Sequence, residues 1–455
     1  MNTVRVGCGA ANEPDTPRLA LDMLLKGNVS YLAFDNLAER SLALAQMRKA
    51  ADPREGYATL TRKRMGPLLG PAKEKGVRLT GNFGSANVAR AAEILHEEAA
   101  ARGMPSLRVA AVTGDDVLEM VLANELPLTF FETGGGLDSL PGRVVSANVY
   151  LGAAPIVDGL EAGADVVVTG RCADISPYIA SIVHAFGWSL EDYPRIAGAG
   201  IIGHLLECGR YVTGGSHADP FYGKEVPSLD DLAFPLVDAR EDGTGVISKT
   251  PDTGGMVTVA TCREQLLYEV HDPGRYLSPD ATLDFTQVKL QQVGRDQVEV
   301  TGARGGPPPD TYKVVVGIDR GWVGEGEISF SGPGCIEKAE MCADIARRSV
   351  EREGIELDAF HSDIIGVNSM PHPANTEIGT PPEVRVRMLG RAKTKGDAEA
   401  LQTICEGMWF GPTGGGGNRT LVRQAVGVYS ALIPRDRVPV RVQITERTDR
   451  EVMYS

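Results

Sequence analysis

The residues best suited to acid–base chemistry fall just after short apolar runs. Arg171 and Asp174 follow the run 165–169, and His204 and Glu207 stand three apart in the small-residue segment Gly198–Gly209. Positions three apart share one face of a helix, so His204 and Glu207 can form an imidazole–carboxylate hydrogen bond. A histidine that titrates near neutrality can also carry a proton. As a metal pair they would need a third and a fourth ligand, and no recognised zinc spacing supplies them. Arg171 offers a planar fork for a carboxylate or a phosphate, while Asp174 is either its ion-pair partner or an acid–base carboxyl. Asp35 and Asn82 each end another apolar run, and either can line a crevice or merely cap a helix. Gly414, Gly415, Gly416 and Gly417 expose consecutive N–H groups, and Arg419 lies just beyond them. With a helix expected to run on through Ser430, this loop reads as an anion cradle or an interface. It lacks the Lys-Ser/Thr ending of a P-loop.

These parts suit the addition or removal of water beside an activated carbonyl. Such a step needs an anion clamp, donors for the developing oxyanion and one or two proton-transfer groups. On this reading Asp174, His204, Glu207 and Asp35 are catalytic. Arg171, Asn82, the four glycines and Arg419 bind substrate, and no metal is called for. Isomerisation at the carbon next to the carbonyl would use the same groups.

The elements that must position them come from hydrophobic patterning. Val4–Cys8, Tyr31–Phe34, Val77–Thr80, Leu107–Val112, Val144–Tyr150 and the run ending at Thr169 are short and apolar, and helical stretches alternate with them. That alternation implies a mostly parallel, Rossmann-like sheet over residues 1–250, with ligands bound beyond the carboxyl ends of its strands. The turn Gly7–Asn12 nearly spells a dinucleotide fingerprint, but Asn12, Glu13, Pro14 and Asp15 occupy the place where a pyrophosphate should meet a helix. An NAD-dependent oxidoreductase is therefore an alternative, and no cofactor is assigned. From 251 to 455 alternating strands without intervening helices suggest a smaller α+β domain with an antiparallel sheet, closed by a strand at Val438–Ile444 and carrying the glycine-rich loop 411–419.

Bulk properties narrow the partners. The 455 residues carry a formal net charge of −14, which argues against nucleic acid or an anionic membrane surface. Seven scattered cysteines without a CxxC pair fit free thiols in a reducing compartment. No apolar leader and no run of spanning length is present, so a cytoplasmic protein is expected. The small residues of Gly198–Gly209 suit burial at a domain or subunit junction, and a homo-oligomer is expected.

Several long motifs carry a resemblance over nearly the whole chain. They include 31–39 (YLAFDNLAE), Gly170-Arg171-Cys172-Ala173-Asp174, Gly203-His204-Leu205-Leu206-Glu207-Cys208-Gly209, Thr213-Gly214-Gly215, 310–313 (DTYK) and 411–417. In these the sequence resembles the acyclic terpene utilisation AtuA family. The resemblance implies catabolism of branched carboxylic acids through CoA thioesters, with a small-molecule acid or CoA ester as ligand. It also implies a ferredoxin-like piece that some members carry at their C-terminus; the expectation here is that it is absent or supplied by a small partner subunit. A non-catalytic binding or scaffold subunit is the other function class in view.

Overall fold

The structure is a computed structural model and describes residues 2–104, 106–371, 379, 381–411 and 413–448. It is a mixed α/β fold that divides into two compact units. The first comprises 1–139, 145–317 and 428–455; the second comprises 140–144 and 318–427.

The first unit is built on a ten-stranded sheet. Its centre is five strands lying side by side, Thr3–Ala10, Tyr31–Phe34, Arg78–Gly81, Val166–Thr169 and Ser106–Thr113, each parallel to its neighbours in this group. Val166 stands opposite both Leu79 and Val109. Val166, Val167 and Val168 are buried on both faces, which is why this stretch reads as a continuous apolar run. Each such side chain contributes roughly 1.5–3 kcal/mol of transfer free energy. Antiparallel strands extend both edges: Pro235–Arg240, Gly245–Lys249, Gln297–Thr301 and Lys289–Gly294 beyond the first strand, and Arg441–Thr448 beyond Ser106–Thr113. The Rossmann-like expectation thus reduces to a parallel core: beside Thr3–Ala10, where a dinucleotide fold would reverse its strand order, lies an antiparallel strand.

Two expectations from the sequence are corrected here. The break expected at 250 falls inside the first unit, because strands as late as Gln297–Thr301 pair into the large sheet. The terminal strand likewise returns to that sheet instead of closing a second domain. Neither pairing leaves a local mark in the sequence, since both join segments far apart in the chain.

Helix Tyr193–Glu207 is buried along its length from Ile196. Its small residues permit this: a Cβ on Gly198 would lie 2.1 Å from the Gly243 carbonyl oxygen. Two further helices, Ala154–Glu161 and Ser176–Phe186, begin around a shared carboxylate. Asp280, almost fully buried, accepts from the Ala153 N–H at 2.6 Å and from Ser176 Oγ at 2.6 Å. It thereby satisfies helix-start donors that neither helix caps for itself.

In the second unit the order strand 318–331, helix Cys335–Glu353, strand Ala359–Ile365, strand Glu383–Ala392, helix Lys395–Gly407, strand 416–427 gives a sheet ordered Ala359–Ile365, Glu383–Ala392, Thr311–Ser331, Gly416–Pro434. This is the split β-α-β arrangement of ferredoxin-like folds. Alternation is clean in Glu383–Ala392: Val384, Val386, Met388 and Ala392 point into the core, while Arg385 and Arg387 pair with Glu327 and Asp363 at 2.9 and 2.7 Å. The glycine-rich stretch is corrected as well. No helix follows it; Gly416 and Gly417 open the strand Gly416–Pro434, and Gly414, Gly416, Gly417 and Arg419 are exposed. Exposure alternates from Asn418 to Gln424 and again from Ala431 to Pro434, as a strand requires and a helix does not. The N–H cradle at a helix start is therefore lost as an argument for an anion site. Pro412 of this motif lies outside the described residues.

Among the described residues no helix is long and apolar enough to cross a membrane. Replacing Asp280 by Ala should lower stability by about 2 kcal/mol, because two buried donors lose their acceptor. Replacing it by Asn should cost less, as one acceptor oxygen remains; urea midpoints would show the difference.

Candidate functional site

Beyond the carboxyl ends of the parallel strands the first unit encloses a chamber of about 600 Å³. Asn12 and Asp15 come from the turn after the first strand, Asp35 and Asn36 from the turn after the second, and Arg171 and Asp174 from the turn after Val166–Thr169. Glu207 and Arg210 reach it from the far end of helix Tyr193–Glu207. A smaller chamber of about 300 Å³ shares Glu39, Asp174 and Glu269 with the first, so the two adjoin.

Arg171 is 1 % exposed. Its Nη1 donates to the Leu37 carbonyl, its Nε to the Cys172 carbonyl at 2.7 Å, and its Nη2 to the Cys172 carbonyl and to Asp174 Oδ1. Its Cζ lies 4.3 Å from the centre of the Tyr150 ring. Burial works against its charge, but Asp174, with Tyr150 and Asp35, more than offsets this and holds the pKa above its ordinary value. Arg171 is thus a cation whose donors are already engaged. The expectation of an open fork for a substrate anion gives way to the plainer alternative, a paired Arg171 and Asp174. The reason is that the backbone turn after Thr169 offers carbonyls within its reach.

Asp174 keeps 43 % of its side chain exposed and faces both chambers. Asp35 is buried, and its Oδ1 accepts from Asn82 Nδ2 at 2.5 Å. Burial, reinforced by Asp174, pushes the Asp35 pKa well above the usual carboxylate range. The helix that follows starts at Glu39, with Ala38 at its cap, so Asp35 does not cap it. Asn82 is fully buried and has both ends engaged, since its Oδ1 accepts from Asn36 N at 2.6 Å. It orients the Asp35–Asn36 turn and does not line the chamber.

Glu207 lines the chamber; His204 stands behind it, with Nδ1 3.4 Å from Glu207 Oε1. Burial raises the Glu207 pKa, while the His204 contact and the Cys208 thiol, which donates to Oε2 at 3.0 Å, pull the other way. His204 is itself wedged between Tyr276 and Phe285, with ring centroids 5.9 and 5.5 Å away. Glu39 runs opposite to Asp35: against the upward push of burial, the Tyr150 hydroxyl and Lys313 hold it below its ordinary value.

The structure therefore brings Asp35, Arg171, Asp174 and Glu207 around one chamber and sets Asn82 and His204 directly behind two of them. Gly414, Gly415, Gly416, Gly417 and Arg419 belong to the second unit and are not among its lining residues. Sequence reasoning missed Arg210, Tyr150 and Glu269. Arg210 donates to Asp15 Oδ1 at 3.0 Å. Its signal was Gly209, whose φ of +55° turns the chain so closely past the first strand that a Cβ there would lie 2.8 Å from Ala11 Cβ. Glu269 carries a φ of +58°, uncommon for a residue with a side chain. The Ala11 N–H that a pyrophosphate would use already donates to Asp15 at 2.9 Å. Among the described residues no group of three or more His, Cys, Asp or Glu side chains is placed to hold a metal ion.

Behind Arg171 the buried Asp115 accepts from the Arg171 N–H at 2.8 Å and from Asn148 Nδ2 at 2.9 Å. Burial pushes its pKa up to about 6. A carboxyl raised on folding stabilises fully below its unfolded pKa and loses that contribution as pH rises through the folded value. Asp115 should therefore cost the fold roughly 3 kcal/mol between about pH 4 and pH 6. In Asp115→Asn that portion of the pH dependence should vanish, as denaturant titrations at pH 4 and 7 would show.

A family model described as acyclic terpene utilisation family protein AtuA matches residues 4–444. No curated protein and no solved structure matches the chain.

Proposed function

The chain belongs to the AtuA family of acyclic terpene utilisation proteins, and from that premise we propose that it is an enzyme of branched carboxylate or acyl-thioester catabolism. Its reaction is proton transfer at the carbon next to a carbonyl, as in a hydratase/dehydratase or an isomerase. One observation carries this reading: three carboxyls facing a single chamber are held in different environments. Asp35 and Glu207 are buried and raised, whereas Asp174 is half-exposed beside the Arg171 cation. Carboxyls whose environments set them apart are the means by which one site supplies both an acid and a base.

In the dehydration direction Asp174 removes the proton from the α-carbon. The electron pair passes through the enolate to form the Cα–Cβ double bond, and the β-hydroxyl leaves as water with the proton from Asp35. Hydration is the reverse. Isomerisation uses the same abstraction and returns the proton at another carbon. Arg210 spends Nη2 on Asp15 and turns its remaining N–H groups to the carbonyl oxygen as negative charge builds there. Glu207, steadied by His204, is the second proton carrier. A homo-oligomer and a small ferredoxin-like partner stay within this proposal; the exposed pairs Phe221–Tyr222 and Trp409–Phe410 offer apolar surface for assembly.

The test is deuterium uptake at the α-carbon, and water addition, with branched enoyl and 3-hydroxyacyl thioesters in D₂O. Asp35→Asn and Asp174→Asn should each lower kcat by about 10²–10⁴-fold with the fold intact, the usual worth of one general acid or base. The wild-type rate should fall on the alkaline side as pH rises through the raised Asp35 pKa, because the acid must be protonated. Unchanged rates in both variants would remove the proposal.

A further inference from the structure

Asn36 carries a hydrogen-bonding demand that its own surroundings leave unmet. It is 2 % exposed and lines the larger chamber. Its Nδ2 donates to the Asn12 carbonyl at 3.2 Å, and its backbone N–H donates to Asn82 Oδ1 at 2.6 Å. Because a carbonyl can only accept, the amide must turn its NH₂ toward Asn12 and cannot flip. Oδ1 is thereby fixed, and among the described residues it has no partner. A buried acceptor in this state calls for a donor. The other groups at the chamber decide which donor. Arg210 spends Nη2 on Asp15 at 3.0 Å and keeps its other N–H groups, which can only donate. Asp35, whose neutral form burial favours, brings an O–H to the same turn. A ligand filling the chamber must therefore accept from Arg210 and Asp35 and donate to Asn36. An ammonium cannot accept, and an ester, a ketone or an ionised carboxylate cannot donate. A hydroxyl does both.

Resting on the acid–base reading above, we propose that Asn36 recognises a hydroxyl on the substrate through Oδ1. The site then serves loss and addition of water, not isomerisation of a chain that lacks a hydroxyl. Asn82 makes the arrangement rigid. Its Oδ1 holds the Asn36 backbone and its Nδ2 donates to Asp35 Oδ1 at 2.5 Å, so one side chain fixes the acceptor and the proton donor together. In dehydration the substrate hydroxyl gives its own hydrogen bond to Asn36 and accepts from Asp35. The C–O bond breaks with its electron pair on oxygen, which keeps its hydrogen, gains the Asp35 proton and leaves as water. In hydration Asn36 holds the incoming water by one hydrogen, Asp35 takes the other, and the oxygen lone pair forms the new C–O bond.

The experiment compares ligands that differ by one hydroxyl. 3-Hydroxy-3-methylbutanoate and 3-methylbutanoate are titrated calorimetrically against the full chain at pH 7.5, and the same pair is titrated as N-acetylcysteamine thioesters. In at least one series the hydroxylated member should bind at least about tenfold tighter, a difference of about 1.4 kcal/mol. That is the order expected when the other member leaves a buried acceptor unpaired. Asn36→Leu should weaken the hydroxylated ligand to the level of its partner and leave the partner unchanged. Asn36→Ala, which asks less of the packing, serves the same comparison. Equal binding in both series, or binding in neither, overturns the proposal, since water alone then serves Oδ1. A preference that survives both substitutions with Tm unchanged overturns it too. Hydroxyl preference without proton exchange would defeat the acid–base reading and leave this recognition standing. Proton exchange without hydroxyl preference would defeat this inference alone.

Discussion

A guanidinium removed from water has to be satisfied by the chain around it, and Arg171 meets that demand at the cost of its freedom. Its donors reach the Leu37 and Cys172 carbonyls and Asp174, and its face covers Tyr150. Those contacts tie the turn after Val166–Thr169 to the turn after Tyr31–Phe34 and to the residue that follows strand Arg143–Val149. Without an engaged cation at this point, Asp35, Asp174 and Glu207 would confront one another as unshielded carboxyls. With it, Asp174 has a cationic partner while burial raises Asp35 and Glu207, and the strand-end crevice becomes a chamber instead of a repulsive cleft.

The surrounding polar groups extend the same logic outward. Asp115 fixes the Arg171 backbone, Asn82 fixes Asp35, and His204 fixes Glu207, so a second layer holds each side chain that faces the chamber. The backbone leaves little slack for this layer. A Cβ on Gly170 would fall 2.4 Å from Asp115 Oδ1, and one on Gly84 would fall 2.5 Å from the Thr169 carbonyl oxygen. Glycine at both positions is a packing requirement of the site.

Much of this was legible in the sequence, because strand ends declare themselves. Apolar runs followed by polar turns placed Asp35, Asn82, Arg171 and Asp174 on one edge of a sheet, and helical spacing paired His204 with Glu207. Direction was not legible: nothing in Gly170-Arg171-Cys172 says whether the guanidinium turns toward the chamber or back to its own carbonyls. The glycine run misled because its N–H groups suggested a helix start, whereas Gly416 and Gly417 open a strand whose apolar pairs, Leu421-Val422 and Ala425-Val426, do not alternate and so gave no clear strand signal. Arg210 and Glu269 join the site through helix ends and a left-handed residue, for which spacing carries little signal. The terminal strand pairs with Ser106–Thr113 over a separation that no local pattern encodes.

The charge state of the chamber is therefore a property of the fold, and this constrains the chemistry. A ligand anion about 4 Å from an ionised carboxylate would raise the energy by about 4 kcal/mol at an effective dielectric of 20. Relief by borrowing Arg171 would take a buried guanidinium from its carbonyl and carboxylate acceptors and leave Asp174 without its cation beside Asp35 and Glu207. Moving a proton onto or off Asp35 or Glu207 asks for neither, since burial has already brought their neutral forms within reach. The fold therefore keeps Arg171 on its own partners and leaves Asp35 and Glu207 with their neutral forms favoured by burial.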